Sequence, residues 1–173
     1  STSDGYAARR APFLRFARLH AAEATAEEMA RSAPPLWDGL GPLDISITTD
    51  NPQSQAYFNQ GMRIANDFNH VEAIRSFRWA QHLDTQCAMC YWGEALALGP
   101  NINAPMDGEA APLAYAAIRK ALSLAANVSD KEKALIKALE TRYGREDLTL
   151  RAQYDNAYAK AMQAVAEAYP EDN

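Results

Sequence analysis

The chain has 173 residues, of which 48% are hydrophobic and 23% charged, as is ordinary for one globular domain with a buried core. Its net charge of −5 at pH 7 argues against a surface that binds nucleic acid. The most apolar stretch, Cys87 to Leu98, is interrupted by Glu94 and is far shorter than the roughly 20 residues of a membrane-spanning helix. We therefore expect no nucleic-acid partner and no transmembrane segment.

Residues 1 to 33 predict an N-terminal helix, because Ala, Arg, Glu and Leu dominate them. Pro12 is tolerated best in a first turn, which suggests that the helix starts near Ala11. Phe13, Phe16 and Leu19 form an apolar stripe at helical spacing. We expect this stripe to pack on the helices that follow. The arginines beside it leave contact with a membrane surface or an acidic partner open as the alternative.

Residues 34 to 52 are rich in proline and glycine, which excludes a long helix there. Within them, residues 43 to 49 alternate between apolar and polar side chains. This period of two predicts an extended segment that lies on the helical body. Trp37 and Leu40 are its expected anchors, and the sequence offers no partner for it in a sheet.

Residues 53 to 173 predict helices separated by short breaks, and their pattern repeats. The first helix pair contains aromatic and small residues at fixed spacing: Tyr57, Gly61, Ala73, Phe77 and Ala80, with a break near Thr85. The same pattern returns 34 residues after Gly61: Tyr91, Ala95, Ala114, Ile118 and Ala121. Small residues at these positions let two antiparallel helices approach closely.

This pattern resembles the tetratricopeptide repeat family, over three units at about 53–86, 87–126 and 130–170. Thr85 stands where proline is usual, and residues 99 to 108 are an insertion in the second unit. The resemblance implies an all-α, right-handed stack of helix pairs with a concave face that binds proteins or peptides, and it implies no catalysis. The stop shortly after Tyr169-Pro170 is consistent with a longer parent chain.

The resemblance places the first helix of each unit on the concave face. The residues expected to line that groove and bind a partner are Phe58, Met62, Asn66, Met89, Trp92 and Leu96. Such a groove is apolar and suits an extended segment or a helix. The alternative is that the chain's own Trp37, Leu40 and Ile45 already fill it.

Cys87 and Cys90 form one C-x-x-C at a predicted helix start. The pair is interpreted as a structural disulfide or buried thiols, with metal binding and then redox catalysis as alternatives. Copper(I) prefers soft ligands, so the metal alternative would gather Met89, Met62, Met106 and His70 around the two sulfurs. No other cofactor is expected.

The inserted loop is a further candidate site, because Asn101, Asn103 and Asp107 offer oxygen acceptors, although such loops often serve only as connections. Ser129 to Glu132 match a helix capping box.

From the resemblance and the expected groove, the chain is interpreted as a non-enzymatic scaffold that binds a protein or peptide. A copper-binding protein and a self-associating or structural subunit of a larger assembly remain alternatives. Ser1 in place of Met is compatible with removal of an export signal, and equally with a trimmed chain, and we expect an exported protein in the periplasm or the extracellular space.

Overall fold

The computed structural model describes residues 33–144 and 148–172, so the predicted N-terminal helix over 1–33 lies almost wholly outside the described residues. The prediction of an all-helical fold is confirmed for the described ranges, which contain no strand. None of their helices is long and apolar enough to cross a lipid bilayer. The helices are α1 (Pro52–Asn66), α2 (His70–Leu83), α3 (Ala88–Leu98), α4 (Ala110–Leu124), α5 (Asp130–Glu140) and α6 (Arg151–Ala168).

Side chains just before the helices explain where several of them begin. Asn51 accepts hydrogen bonds from the first backbone amides of α1, and Pro52 occupies a first-turn position that needs no amide donor. Asn69 caps α2 in the same way. The predicted capping box is confirmed at α5, where Ser129 and Glu132 satisfy each other's backbone amides.

Consecutive helices pack on each other along the chain, from α1 on α2 to α5 on α6. In addition, α3 contacts α1, and α5 contacts α3. Helices α1, α3 and α5 therefore touch in turn.

The core between the first three helices is built around the ring of Phe77, which is fully buried. A Cβ atom built on Gly61 would lie 2.7 Å from Cε1 of this ring, and one built on Gly93 would lie 2.4 Å from the same atom. Both distances are below van der Waals contact, so α1 and α3 approach α2 only because these two positions carry no side chain. The close approach at Gly61 follows the predicted pattern, whereas Gly93 was not recognised.

Candidate functional site

Three of the six residues predicted to line an open groove are core residues. Phe58, Met89 and Trp92 are 0%, 1% and 6% exposed. Of the other three, Met62 and Leu96 are half-buried and Asn66 is exposed. In the described structure these six side chains therefore do not form one accessible row.

The contacts of Phe58 and Trp92 give the physical reason. The Phe58 ring lies against the Phe77 ring of α2, with centroids 5.7 Å apart. The Trp92 indole Nε1 donates a hydrogen bond to the Leu135 carbonyl of α5 at 3.1 Å. Because α1 packs on two other helices and α3 on four, their large side chains fill the space between helices.

Residues 33–51, here called the arm, lie along α1 without forming a helix or a strand. From 43 to 49 the side chains alternate between half-buried and exposed, which is the period of an extended chain. Leu40, Ile45 and Ile47 pack on the hydrophobic core. Trp37, the other predicted anchor, is 40% exposed and is attached through its backbone.

Two amide side chains of α1 bind the middle of the arm through its backbone. Gln55 Nε2 donates to the Ile45 carbonyl at 2.8 Å, and Gln55 Oε1 accepts from the Ile47 amide at 3.0 Å. Asn59 Oδ1 accepts from the Ile45 amide at 3.1 Å. The Asn59 Nδ2 group donates to the carboxylate of Asp44 at 2.5 Å. The main chain at Ile45 is thus bound through both its amide and its carbonyl.

Arg63 extends the same row, because its Nε donates to the Leu43 carbonyl at 2.7 Å. Gln55, Asn59 and Arg63 follow each other at intervals of four residues, about 6 Å along a helix. Two residues of an extended chain span about 6.6 Å. The spacing of the row therefore matches the spacing of residues 43–47, and we call these three side chains the backbone ladder.

A second group of α1 side chains binds the beginning of the arm. Tyr57 donates its hydroxyl to the Pro34 carbonyl at 2.9 Å. Gln60 Nε2 donates to the Pro35 carbonyl at 3.0 Å, and Gln60 Oε1 accepts from the Trp37 amide at 2.8 Å. These contacts also use mainly backbone atoms of the arm.

The end of the arm reaches α5, where it binds the carboxylate of Glu132. The Thr48 amide donates to Oε1 and the Thr48 hydroxyl donates to Oε2, both at 2.6 Å. Ser129 donates to Oε2 from its amide at 2.9 Å and from its hydroxyl at 2.7 Å. Burial raises the pKa of Glu132, but the hydrogen bonds from Thr48 and Ser129 together outweigh it and hold the pKa below its ordinary value.

Cys87 and Cys90 are joined by a disulfide bond and are completely buried. Cys87 stands just before α3, and the Ser54 hydroxyl of α1 lies 3.4 Å from the Cys90 sulfur. Among the described residues, no three His, Cys, Asp or Glu side chains form a group that could hold a metal ion.

The remaining residues of the copper hypothesis occupy separate environments. Met89 and Met106 are buried in the core, and Met62 is half-buried beside it. His70 is the first residue of α2, and its ring stands edge-on to that of Phe68, with centroids 6.3 Å apart.

The inserted loop between α3 and α4 uses its polar side chains to organise its own backbone. Asn101 Oδ1 accepts from the Asn103 amide at 2.9 Å. Asp107 Oδ1 accepts from the amides of Glu109 and Ala110, at 2.8 and 3.4 Å, where α4 begins. The side-chain oxygens of Asn101 and Asp107, two of the three residues predicted as a candidate site, therefore contribute to the connection between the helices.

None of the residues that bind the arm was among the six predicted to bind a partner. Their signal is polar side chains at four-residue spacing on one helix, next to a segment of alternating apolar residues. Glu132 was recognised only as part of a capping box. Comparisons with protein-family models, with curated proteins and with solved structures give no match to this chain.

Proposed function

We propose that the protein is a non-enzymatic scaffold of tetratricopeptide-like helix pairs that binds an extended protein segment along α1. The observation that carries the proposal is the backbone ladder of Gln55, Asn59 and Arg63, which binds residues 43–47 of the arm. In this structure the occupant of the site is the chain's own arm. The successive contacts of α1, α3 and α5 support the repeat architecture.

The chemistry of the ladder suits a protein ligand in general. Its contacts use the amides and carbonyls of the bound segment, which every extended chain other than one rich in proline offers. Apolar side chains at alternate positions of the segment then pack on the helical body, as Ile45 and Ile47 do here. The proposed binding face is therefore the amide-rich side of α1 and differs from the apolar groove that the sequence predicted.

A selection from a displayed library of random 12-residue segments tests the proposal. The bait is the full chain carrying Ile45→Asp, which weakens the arm's packing and opens the face. We expect bound segments with alternating apolar residues. The selected segments should lose binding when Gln55→Ala and Asn59→Ala are added.

The matched control carries Gln153→Ala and Asn156→Ala, which remove the same two side-chain types from exposed positions of α6. It should bind as the bait does. Failure to enrich any segment, or equal binding by the ladder variant and the bait, would contradict the proposal.

The disulfide supports a location outside a reducing cytosol as part of this proposal. Disulfides persist in oxidising compartments such as the periplasm and the extracellular space. Thiol labelling of the protein in intact cells measures this: we expect Cys87 and Cys90 to be bridged in the native source, and two reduced thiols there would argue for a cytosolic protein.

A further inference from the structure

We infer that Glu132, together with Ser129, forms a specificity subsite on α5 that binds a threonine or serine of the segment lying on α1. This inference rests on the proposed function and names the ligand class more narrowly. Thr48 of the arm is the internal example of such a residue. The subsite belongs to a different helix pair from the ladder, so the full site spans the first and third pairs.

The geometry at Glu132 is that of a carboxylate bound by both a main-chain and a side-chain donor of one residue. The amide and the hydroxyl of Thr48 each donate to a different oxygen of the carboxylate, both at 2.6 Å. Such charge-assisted hydrogen bonds are stronger than those between neutral groups. A residue with the same backbone but no hydroxyl could supply only one of these two donors.

Burial favours a segment that brings a hydroxyl to this carboxylate. With the arm in place, Glu132 is 5% exposed, and a buried carboxylate is costly unless donors surround it. Ser129 supplies two donors and Thr48 the other two. A segment that places valine at the position of Thr48 would cover the carboxylate and leave one of its oxygens without a donor from the segment.

The position of the hydroxyl is set by the ladder. Ile47 is the last arm residue whose backbone Gln55 binds, and Thr48 follows it directly. A segment held in the same register as the arm therefore presents its next residue to Glu132. The predicted ligand is an extended segment with apolar residues at two alternate positions, followed at once by threonine or serine.

A binding titration with synthetic peptides tests this inference. The probe is a labelled peptide with the sequence of residues 41–50, and the protein is the full chain carrying Ile45→Asp and Ile47→Asp to displace its own arm. Fluorescence anisotropy measures the affinity of this peptide and of a second one with Thr48→Val. We expect the valine peptide to bind about tenfold more weakly or worse, because it lacks a hydrogen bond to a charged group.

A double-mutant cycle separates recognition from a change in the fold of α5. In protein that also carries Glu132→Gln, the two peptides should differ by less than in protein with Glu132 intact, since the charged acceptor is gone. Helix content from circular dichroism checks that each variant is folded. If the double aspartate variant is unfolded, the single Ile45→Asp chain serves in its place.

The outcomes distinguish this inference from the proposed function. Peptides that bind with equal affinity, whether they carry threonine or valine, would overturn the subsite and leave the scaffold intact. A threonine preference that persists unchanged with Glu132→Gln would also overturn it. A folded chain with a displaced arm that binds neither peptide would overturn both the subsite and the proposed binding face.

Discussion

Helices α1 and α6 differ in how much of their surface is covered. Seven residues of α1 are buried, whereas none of the residues of α6 is. The first helix packs on α2 and α3 and carries the arm on a further side, while α6 packs mainly on α5. The apolar side chains of a helix are fully buried only where several neighbouring elements cover them, as at α1.

The comparison also explains which polar residues are buried. Asn59 and Gln60 are 7% and 2% exposed, which would be costly without partners. The arm backbone supplies those partners, because its amides and carbonyls bond to both side chains. These two polar residues of α1 therefore hold the arm on the helix.

The largest expected contrast between the two regions comes from truncating a core side chain. Phe77→Ala should lower the free energy of unfolding by about 4 kcal/mol, because it leaves a cavity between three helices. Val165→Ala in α6, where the side chain is half-buried, should cost less than about 1 kcal/mol. Urea denaturation followed by circular dichroism measures both, and equal losses would show that α6 is as well packed as α2.

Adding a methyl group between the closely packed helices α2 and α3 should also lower the free energy of unfolding. Gly93→Ala places a Cβ 2.4 Å from Cε1 of Phe77, and the resulting overpacking should cost about 2–3 kcal/mol. Replacing the ring with a smaller side chain by Phe77→Leu in the same protein should recover part of this loss. Additive costs of the two substitutions in denaturation experiments would contradict a direct clash.

Removing the disulfide tests how much the bond at the start of α3 contributes to the stability of the fold. The bond closes a very short loop, so Cys87→Ala with Cys90→Ala should destabilise the fold by about 2 kcal/mol on the chain-entropy estimate. Mass spectrometry of the unsubstituted protein should show a chain that lacks both thiol hydrogens. Because both sulfurs are buried, alkylation should require a reductant and a denaturant together. Alkylation of the untreated, folded protein would contradict the bond.

The smallest effect concerns the link between the arm and α5, and it depends on pH. The pKa of Glu132 is lower in the folded chain than its ordinary value of 4.5. The ionised carboxylate of Glu132 therefore contributes to the free energy of unfolding above pH 4.5, and this contribution is lost as the pH falls through the pKa of the folded chain. Glu132→Gln should cost about 1–2 kcal/mol at pH 7.

Stability curves of the two proteins against pH measure this effect. The difference should shrink towards zero in acid, as the wild-type carboxylate takes up its proton. Asp130→Asn, at an exposed position of the same first turn, is the matched control and should show a smaller difference at pH 7. A difference for Glu132→Gln that does not change with pH would exclude the carboxylate as its cause.

Local sequence patterns predicted much of what the described chain shows. The repeated pattern predicted helices separated by short breaks over residues 53–173, where the six described helices lie, and the spacing of Gly61 and Phe77 predicted a close helix contact. The capping box at Ser129 and the alternation of residues 43 to 49 were also visible in the sequence. These features depend on neighbours within a few residues or on one repeated unit, so sequence spacing is enough to predict them.

Tertiary structure decided which side chains face a partner and which face the core. Phe58 and Trp92 looked like surface anchors, but packing of α1 and α3 on several helices buries them. The contact between Thr48 and Glu132 joins residues that are 84 positions apart, and no local pattern contains such a distance. The sequence by itself determined the helices and the extended character of the arm, because these follow from short-range spacing. Only the folded chain decided that the arm would lie on α1 and reach α5, since that depends on which polar side chains the packed helices present to the backbone of the arm.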